Sequence, residues 1–515
     1  MELKKAIEKE DKYNKLLIEG GLFFYGPSKG NFILPAQGYS LWKNIQDSLD
    51  KKFAARGVQN VLLPTLIPLD LLEKEKKHIE GFSPECFYIE KIGDKELETP
   101  LVLRPTSEVL FYDWYQKTLR TYRQLPFLYN QWCSVFRAEK TTTPFFRNTE
   151  FLWQEGHTIH ANSEEAKQFA LNILSDYQNY VENILCLGVI VGKKTEGEKF
   201  AGALETYTIE CLLPDGQCLQ IATSHYFGDN FCRLMEVKFQ NKNNQIEYPF
   251  STSWGASTRS IGAIAKTHAD NWGLILPFEI APVQIAFILI NEKEELVKYY
   301  QEILELLNPK YRCQLYNKNN QINLNILQAD KEGCPLKIIL GMNELKNREV
   351  TLVRRNNLER KITISLEASW IGKKYVSAFE KYIEDFSKIN DTPEQNEYLV
   401  NVFKKNQEAQ EMFGIIEREK IEFQKQLYQK IVDFRDEHIY SEINLTDLKK
   451  KINDGLKGLF LIPFCNNLEC EKTIKEKVLS YSIRCIDLEK KVAESDLCIF
   501  CQSKAQNMVY LGRSY

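Results

Sequence analysis

Two strand-like segments joined by a polar, proline-containing turn lie within residues 136–158, FRAEKTTTPFFRNTEFLWQEGHT. This arrangement predicts a β-hairpin, whose two strands are antiparallel. Strand-like runs follow at 206–213 and 218–223, after a long helix that we expect to begin with Ser163 as its cap. We therefore predict an α+β protein built on a mainly antiparallel sheet flanked by helices, rather than on alternating βαβ units.

The chain has 515 residues, more than a single hydrophobic core organises, so we expect several domains. Residues 58–68 (VQNVLLPTLIP) are predicted to form a buried strand that prolines stop. After Pro282 the run VQIAFILI is typical of a strand buried on both faces. The pattern beyond it indicates a compact α/β domain over 281–365, a charged helix-prone segment over 366–440 and a small module over 441–515.

The charge balance is close to neutral, with 67 basic and 70 acidic side chains and a formal net charge of −3. This balance argues against a wholly electrostatic nucleic-acid binder but leaves room for a local basic face. Residues 1–15 show no apolar core of a secretory signal, and the longest apolar run, 281–290, is about half the length that spans a bilayer. We expect a cytoplasmic protein without a membrane partner.

The chain contains 13 cysteines, most of them isolated in apolar contexts that predict small buried side chains in a reducing compartment. Four others form two pairs, Cys465-x4-Cys470 and Cys498-x2-Cys501. Two short loops with paired thiols are typical of a tetrahedral structural zinc site. Cys485 lies between the pairs in a strand-like context, and we expect it not to be a ligand.

Arg137 and Glu139 stand two positions apart at the start of the turn in the hairpin. On a strand this spacing puts both side chains on one face. A guanidinium suits a phosphate, and a carboxylate suits an amino group or a metal, so the pair is typical of a nucleotide site. The alternative interpretation is a salt-bridged hairpin on the protein surface.

Three further segments carry polar residues at positions that suit a ligand. Small residues precede Arg259 and a helix follows it, which would place the guanidinium at a helix start facing a closely approaching ligand. Thr106 and Glu108, in LRPTSE, are expected on one face of a turn. Thr223 and His225 are expected to project together from the end of a strand.

In this order the segments resemble the class II aminoacyl-tRNA synthetases, and specifically the prolyl-tRNA synthetases of the archaeal and eukaryotic type. Motif 1 of the class is similar to the helix and strand that end at Pro64, and motif 3 is similar to residues 255–259. Motif 2 is similar to the segment that contains Arg137, Glu139 and Arg147. RPTSE, EFLWQEGHT and TSHYFGDNF resemble prolyl-specific signatures, and the resemblance covers nearly the whole chain.

The resemblance implies a proline–tRNA ligase, which activates L-proline with ATP to prolyl-adenylate and transfers it to the 3′ end of tRNA(Pro). Such chemistry depends on positioned substrates and stabilised phosphate charge rather than on a side-chain nucleophile. The catalytic residues that it implies are Arg137, Glu139 and Arg259, and Glu139 would bind the adenine amino group. With Mg²⁺ bridging the phosphates, the implied ATP-binding residues are Arg137, Glu139, Arg147, Phe151, Gln220, Thr223, Ser257 and Arg259.

Proline is a cationic secondary amine with a small apolar ring, so its pocket needs acceptors for the ammonium and flat walls for the ring. By resemblance, the proline-binding residues are Thr106, Glu108, Arg137, Trp153, Glu155, Phe200, His225 and Ser253. The first two suit the ammonium, and the aromatic members suit the ring. Ordinary core packing is the alternative for Trp153. His157 and His160 could form a metal pair, although two histidines without a third ligand are more often structural.

The stretch between Glu155 and Ser253 resembles the catalytic core, so we expect no cis-editing domain. Two other interpretations of the chain stay open. One is a catalytically inactive, synthetase-like regulatory protein, which would show no proline-dependent ATP–pyrophosphate exchange. The other is a related threonine or serine enzyme, although the Cys/His triplet that holds active-site zinc in threonine enzymes is not apparent in the sequence.

The resemblance also names the four regions of the chain. They are a class II catalytic domain over 1–280, an α/β anticodon-binding domain over 281–365, an unusually long helical linker over 366–440 and a small α/β zinc-binding module over 441–515. A zinc-free module is the alternative for the last region, because some relatives have lost ligands.

Three further expectations concern partners of the chain. Motif 1 implies a homodimer. Lys337 and Arg354 are candidates for contact with tRNA, and a solvated basic edge is the alternative. The terminal Tyr515 implies that its carboxylate reaches the active site, so a C-terminal tag should impair activity.

Overall fold

The computed structural model of the chain describes residues 12–76, 86–317, 321–366, 393–478 and 480–515. Two compact units form. We call Phe23–Thr267 with Tyr428–Tyr515 the large unit, and Met1–Leu22 with His268–Leu427 the small unit. In the described ranges no helix combines the length and the apolarity that a membrane crossing needs.

The helices in these ranges are α1 Lys12–Glu19, α2 Ala36–Ala55, α3 Leu69–Lys76, α4 Glu108–Thr118, α5 Ser163–Asn183, α6 Asn230–Leu234, α7 Arg259–His268, α8 Glu294–Leu307, α9 Ile322–Lys331, α10 Met342–Asn347, α11 Pro393–Glu437, α12 Leu445–Asn453 and α13 Leu468–Lys477. The strands are β1 Phe24–Tyr25, β2 Phe32–Ile33, β3 Gln59–Asn60, β4 Leu66–Pro68, β5 Tyr88–Ile92, β6 Lys95–Leu103, β7 Phe127–Phe136, β8 Glu150–His160, β9 Val189–Lys193, β10 Glu205–Leu212, β11 Gln217–Gly228, β12 Phe239–Gln240, β13 Ile246–Glu247, β14 Phe250–Ser257, β15 Ile285–Leu289, β16 Cys313–Leu315, β17 Leu336–Leu340, β18 Glu349–Arg354, β19 Asn357–Ser365, β20 Ile439–Ser441, β21 Leu459–Phe464, β22 Tyr481–Asp487 and β23 Asn507–Ser514.

The large unit is built on one sheet with the strand order β20-β21-β23-β22-β9-β10-β11-β14-β8-β7-β3. Its central strands, from β9 to β7, are antiparallel throughout. The β7–β8 hairpin pairs Phe127 with Ile159 and Phe136 with Glu150. The predicted hairpin and the predicted antiparallel sheet are therefore confirmed.

Helix α5 covers one face of this sheet because its buried side chains recur at helical spacing. They are Ala166, Ala170, Ile173, Leu174, Tyr177, Tyr180 and Val181. The predicted Ser163 cap is wrong by one residue. Asn162 accepts the hydrogen bond from the Glu165 amide, and the Ser163 hydroxyl instead bonds to Tyr226.

The backbone of β8 passes beneath the indole of Trp254, which is almost fully buried. Gly156 is the register partner of Trp254, and a Cβ at Gly156 would lie 2.0 Å from the indole ring. A side chain at this position would displace the indole, so only glycine lets the tryptophan pack flat against the neighbouring strand.

The predicted single buried strand over residues 58–68 is wrong. This segment forms the two short strands β3 and β4, which pair with β7 and β6 in different sheets. Pro64 lies between them, and a proline has no N–H with which to continue a ladder of hydrogen bonds. Leu62 and Leu66 are 78% and 41% exposed, so part of this apolar segment faces outward.

The C-terminal residues extend the main sheet instead of forming a separate one. Strand β22 pairs antiparallel with β9, and β23 pairs parallel with β11 through Gln217 with Arg513 and Cys218 with Ser514. Residues 428–515 consequently belong to the same compact unit as residues 23–267. The predicted domain borders at 280, 365 and 440 stay predictions.

The small unit contains a five-stranded sheet with the order β16-β15-β17-β18-β19 in the described part of the chain. Strand β15 pairs parallel with both neighbours and is buried along its whole length, as the run VQIAFILI predicts. Residues 367–392 of the predicted linker lie outside the described residues, and most of the remainder forms α11. Met412 and Ile416 of α11 pack into the core of the small unit.

Neither candidate for tRNA contact in this unit is available to a ligand. Lys337 and Arg354 are each only 1% exposed. Lys337 pairs with Asp330, and Arg354 lies 3.4 Å from the Glu419 carboxylate. The prediction of a contact and its alternative, a solvated basic edge, are both wrong, because both cations are paired inside the fold.

Candidate active site

A cleft of about 230 Å³ opens in the large unit, over the strands β8, β11 and β14. The sequence-predicted residues that line it are Thr106, Glu108, Arg137, Phe151, Trp153, Glu155, Phe200, Gln220, Thr223, His225, Ser253, Ser257 and Arg259. The remaining two predicted ATP-binding residues, Glu139 and Arg147, line an adjoining cavity that shares Gln220 and Arg259 with the cleft. The fold thus gathers all of them.

Strand periodicity explains how residues distant in sequence meet in the cleft. Alternate side chains of a strand share a face, so Phe151, Trp153 and Glu155 of β8 all point into the cleft. In register, Glu155 stands opposite Gly255 of β14, and Gly255 stands opposite Thr223 of β11. The absence of a side chain at Gly255 leaves room above the middle of the sheet.

One end of the cleft is acidic and buried, with Glu108 and Glu155 only 5% and 2% exposed. The Thr106 hydroxyl donates to Glu108. Glu155 accepts from the Ser107 amide at 3.2 Å and from Gln131 Nε2 at 2.6 Å.

The two carboxyl groups differ in how readily they ionise. Burial raises the pKa of Glu108. Burial also opposes ionisation of Glu155, but the hydrogen bonds from His157, Ser107 and Gln131 outweigh it and lower the pKa of that carboxyl. The acidic end therefore holds one firmly ionised carboxylate and one that ionises most easily when a cation is close.

The two histidines of the HTIH sequence do not form a pair. Their spacing of three puts them on opposite faces of β8. His160 bonds to Glu165 and to Thr158, which is a structural role. His157 stacks on Phe111 and lies 3.3 Å from the Glu155 carboxylate.

The wall beside the acidic end is apolar and neutral. Burial lowers the pKa of His225 to about 3, so its ring is uncharged at neutral pH. The ring packs against Phe200 with 4.8 Å between centroids, and its Nδ1 lies 3.0 Å from the Thr206 hydroxyl. Trp153 lines the cleft and is only partly buried, so ordinary core packing does not describe it.

Two arginines, Arg137 and Arg259, also line the cleft, and we call this part of it the cationic end. The Arg137 guanidinium donates to the Pro105 carbonyl at 3.1 Å and lies 5.5 Å and 5.3 Å from the ring centroids of Phe151 and Trp153. Strand β7 ends at Phe136, so Arg137 and Glu139 do not lie on a strand as expected but follow it.

Arg259 begins helix α7, as predicted, and its Nε donates to the Phe146 carbonyl at 3.2 Å. Burial, and secondly the nearby Arg137 charge, lower the pKa of Arg259 to about 10. The guanidinium remains charged at neutral pH. It is partly shielded from bulk water, which favours the binding of an anion.

The last residue of the chain lies at the adjoining cavity, as the resemblance implies. Arg147 Nη2 donates to the Tyr515 main-chain oxygen at 2.8 Å. The Tyr515 ring lies 4.1 Å from the Phe146 ring and 4.7 Å from the Lys266 ammonium.

Sequence reasoning missed a buried ion cluster beside the cationic end. Glu210, 1% exposed, accepts from Lys194 at 2.6 Å and from Arg484 Nη2 at 2.9 Å. Burial opposes its ionisation, but the two cations outweigh burial and lower the pKa of Glu210 to about 2. The three residues carry no local motif. Only the pairing of β9, β10, β22 and β23 brings them together, so no signal in the sequence could have identified them.

The four predicted zinc ligands meet at one point, with all of their sulfur atoms within 4.8 Å of one another. Cys465 Sγ and Cys501 Sγ are 3.6 Å apart. Tetrahedral zinc with bonds of about 2.3 Å needs sulfur–sulfur distances of about 3.8 Å, so the four thiols fit the ion. Cys485 is fully buried in β22 and is not part of the group.

We expect the native chain to retain about one zinc ion per chain after purification, and the Cys498→Ser variant to lose it. The physical reason is that three thiolates bind zinc more weakly than four and leave the ion open to water. Metal analysis of native and variant chains checks this. Cys313→Ser, at an isolated cysteine, is the matched control. Equal zinc in Cys498→Ser, or none in the native chain, would show that the site does not hold zinc.

Comparison with known proteins agrees with this geometry. Residues 87–268 match the tRNA synthetase class II core domain (G, H, P, S and T), residues 284–371 match the anticodon binding domain, and residues 445–515 match the C-terminal domain of prolyl-tRNA synthetase. The core and the antiparallel sheet define a class II aminoacyl-tRNA synthetase.

Similarity over the full length narrows this class. The proline–tRNA ligase of Mesoplasma florum is 41% identical over 98% of this chain and 96% of its own, and that of Ruminiclostridium cellulolyticum is 38% identical with the same coverage. The prolyl-tRNA synthetase of Cryptosporidium parvum in complex with halofuginone and AMPPNP is 31% identical, with a TM-score of 0.85 over 98% of this chain and 94% of that chain. The same enzyme with L-proline and AMP gives a TM-score of 0.83 at 30% identity. The chain belongs to the prolyl-tRNA synthetase family and is an aminoacyl-tRNA ligase.

Proposed function

We propose that the cleft joins L-proline to the adenylyl group of ATP, with release of pyrophosphate, and then transfers the prolyl group to a hydroxyl at the 3′ end of tRNA(Pro), with release of AMP. The observation that carries this proposal is the presence of a buried acidic pair, Glu108 and Glu155, and of two cations, Arg137 and Arg259, within one cleft. An amino acid with a positive amine and a negative carboxylate, placed next to a nucleotide phosphate, matches this charge distribution.

In the first step a carboxylate oxygen of proline attacks the α-phosphorus of ATP, the α–β bridging bond breaks, and pyrophosphate leaves. Negative charge is shared between the entering and leaving oxygens, so stabilisation by fixed cations matters more than a nucleophilic side chain. Arg137 would hold the α-phosphate and the proline carboxylate, and Arg259 would hold the outer phosphates with Arg147.

The proline ammonium would occupy the acidic end, next to Thr106 and Glu108. The cation would favour the ionised form of Glu108, whose pKa burial raises, so binding and ionisation support each other. Trp153, Phe200 and the neutral His225 would enclose the pyrrolidine ring. Glu155, already held by Ser107 and Gln131, would act as a fixed charge, with Ser253 completing the floor.

The remaining residues would bind ATP. Phe151 would stack on the adenine and Glu139 would accept from its amino group, while Gln220, Thr223 and Ser257 would contact the nucleotide. Mg²⁺ prefers oxygen ligands, and the Gln220 side chain offers one at the adjoining cavity beside the phosphates' own oxygens. When bound, the ion would neutralise phosphate charge.

We infer a homodimer from the exposed apolar side chains near β3 and β4. Strand β3 ends the main sheet, and Leu62 and Leu66 nearby are 78% and 41% exposed. A second copy of the chain would cover this surface through a two-fold axis. The match of residues 284–371 to the anticodon binding domain supports tRNA as the other macromolecular partner.

The direct test of the proposed function is aminoacylation of a transcribed tRNA(Pro) with radioactive proline and ATP. We expect charging with proline and none when ATP is omitted. A transcribed tRNA(Thr) with threonine is the control for the related enzymes. Charging of tRNA(Thr) instead of tRNA(Pro), or no charging at all, would contradict the proposal.

A further expectation concerns editing. Between β8 and β14 the chain folds as α5, β9–β13 and α6, with β9, β10 and β11 part of the main sheet. We therefore expect purified Ala-tRNA(Pro) to remain acylated in the presence of the enzyme at the rate of its spontaneous hydrolysis. Loss of radioactive alanine from the tRNA, followed with and without enzyme, checks this. Enzyme-dependent deacylation would refute it.

A further inference from the structure

The loop that carries Phe200 is attached to the metal-binding region by a buried carboxylate. Glu471 follows the candidate zinc ligand Cys470 in helix α13 and is only 4% exposed. Its Oε1 accepts from the Thr195 hydroxyl at 2.5 Å, and its Oε2 accepts from the Gly197 amide at 3.2 Å. Thr195 itself is 3% exposed. Both donors belong to the loop between β9 and β10, which we call the 194–203 loop.

This loop contributes directly to the cleft. Glu198 and Phe200 line it, together with Lys194 at the start of the loop. The two ends of the loop are held separately. Glu471 holds the first part, and the Phe200 amide donates to the Thr206 hydroxyl at 3.0 Å on the other side.

The contact between Glu471 and the 194–203 loop leaves the loop backbone little freedom to move. The amides of Glu198 and Lys199 both donate to the Thr195 carbonyl, which closes a turn around Gly197. A Cβ at Gly197 would lie 2.7 Å from the Glu471 carboxylate, so the carboxylate packs directly on the backbone of this turn. A surface ion pair between Lys475 and Glu198, 2.7 Å apart, adds a second and weaker attachment.

We propose that Glu471 is a positioning residue for proline recognition, which fixes the 194–203 loop so that Phe200 forms one wall of the proline pocket. The carboxylate does not touch the substrate; it acts through Thr195 and Gly197. Removal of Glu471 leaves two donors of the loop without their acceptor, and such donors turn towards water and carry the loop with them. This inference rests on the assignment of Phe200 to the proline pocket.

The test compares Glu471→Ala with Glu469→Ala. Both residues flank Cys470, but the Glu469 side chain is exposed and pairs with Lys472 at the surface, so a general disturbance of the metal site would affect both variants. We expect the KM for proline in ATP–pyrophosphate exchange to rise about tenfold in Glu471→Ala, with the KM for ATP changed by less than about twofold. Glu469→Ala should match the native chain. Glu471→Gln keeps one acceptor and should be intermediate.

Hydrogen exchange supplies a second readout. Amides of the 194–203 loop, that of Gly197 above all, should exchange faster in Glu471→Ala, with the zinc content unchanged. Thr195→Val removes the same hydrogen bond from the loop side. It replaces Glu471→Ala in both measurements if that variant does not fold. A proline KM that stays native, or a rise in both KM values together with loss of zinc, would overturn the proposal.

The Phe200→Ala variant tests the place of Phe200 in the proline pocket separately from the positioning role of Glu471. If its proline KM stays native, the assignment of Phe200 to the pocket fails. If its proline KM rises while those of Glu471→Ala and Thr195→Val do not, the pocket is correct and the positioning role of Glu471 is wrong.

Discussion

Arg259→Ala is expected to lower kcat/KM for proline-dependent ATP–pyrophosphate exchange by about 10²–10³-fold. The guanidinium stands at the start of α7, partly buried and charged, where it would meet the phosphates of ATP. Because the hydrogen bond to Phe146 already holds this cation in place, it would stabilise the charge of the leaving pyrophosphate without reorganising. The loss should therefore fall mainly on kcat, not on the KM for proline.

Two further variants sharpen this prediction. Arg259→Lys keeps a charge but not the planar fork of donors, so we expect an intermediate activity. Arg123→Ala removes an exposed arginine that lines neither the cleft nor the adjoining cavity, and it should leave exchange unchanged. Native kcat in Arg259→Ala would exclude Arg259 from catalysis, and an equal loss in Arg123→Ala would point to a nonspecific effect.

The second large effect is on stability. Glu210→Gln is expected to destabilise the large unit by about 3–5 kcal/mol. The carboxylate pairs with both Lys194 and Arg484, which are only 6% and 7% exposed, and glutamine would leave the two cations inside the protein without this counter-charge. Urea unfolding followed by tryptophan fluorescence measures the change.

The same residue should make stability depend on pH. The pKa of Glu210 is about 2 in the folded chain, against an ordinary value of 4.5. A carboxyl with a lowered pKa stabilises the fold fully above its unfolded pKa, and this contribution is lost as the pH falls from about 4.5 towards about 2. Native protein should lose stability over this range more steeply than Glu210→Gln.

Glu196→Gln is the matched control for these measurements, because Glu196 pairs with Lys199 at the surface with its side chain 61% exposed. It should change stability by less than about 1 kcal/mol. If Glu210→Gln unfolds at the same urea concentration as the native chain and with the same dependence of stability on pH, the buried cluster does not stabilise the large unit as described.

Much of the cleft was predicted from the resemblance of short motifs to the family, and strand periodicity explains why some of those residues meet. Phe151, Trp153 and Glu155 share a face because they alternate along one strand. The hairpin that contains them was predictable from its polar, proline-containing turn. Cys465, Cys470, Cys498 and Cys501 were recognisable from spacing alone.

The predictions that failed needed information from distant parts of the chain. Lys337 and Arg354 look like surface cations in sequence, yet Asp330 and Glu419 pair with them inside the small unit. The strand expected over 58–68 is interrupted because Pro64 cannot donate a ladder hydrogen bond and the two halves pair with different strands. The cluster around Glu210 depends on the main sheet, which places β22 of the C-terminal segment beside β9 and β10.

The most direct test of the account is the exchange of radioactive pyrophosphate into ATP, measured separately with proline, alanine, threonine and serine. We expect exchange with proline, weaker exchange with alanine and none above background with threonine or serine. This expectation follows from the acidic end, the neutral apolar wall and the cationic end of the cleft. Alanine should lose about 10–200-fold in kcat/KM, because it fills less of the wall formed by Trp153, Phe200 and His225. No exchange with proline, or faster exchange with threonine or serine, would contradict the account.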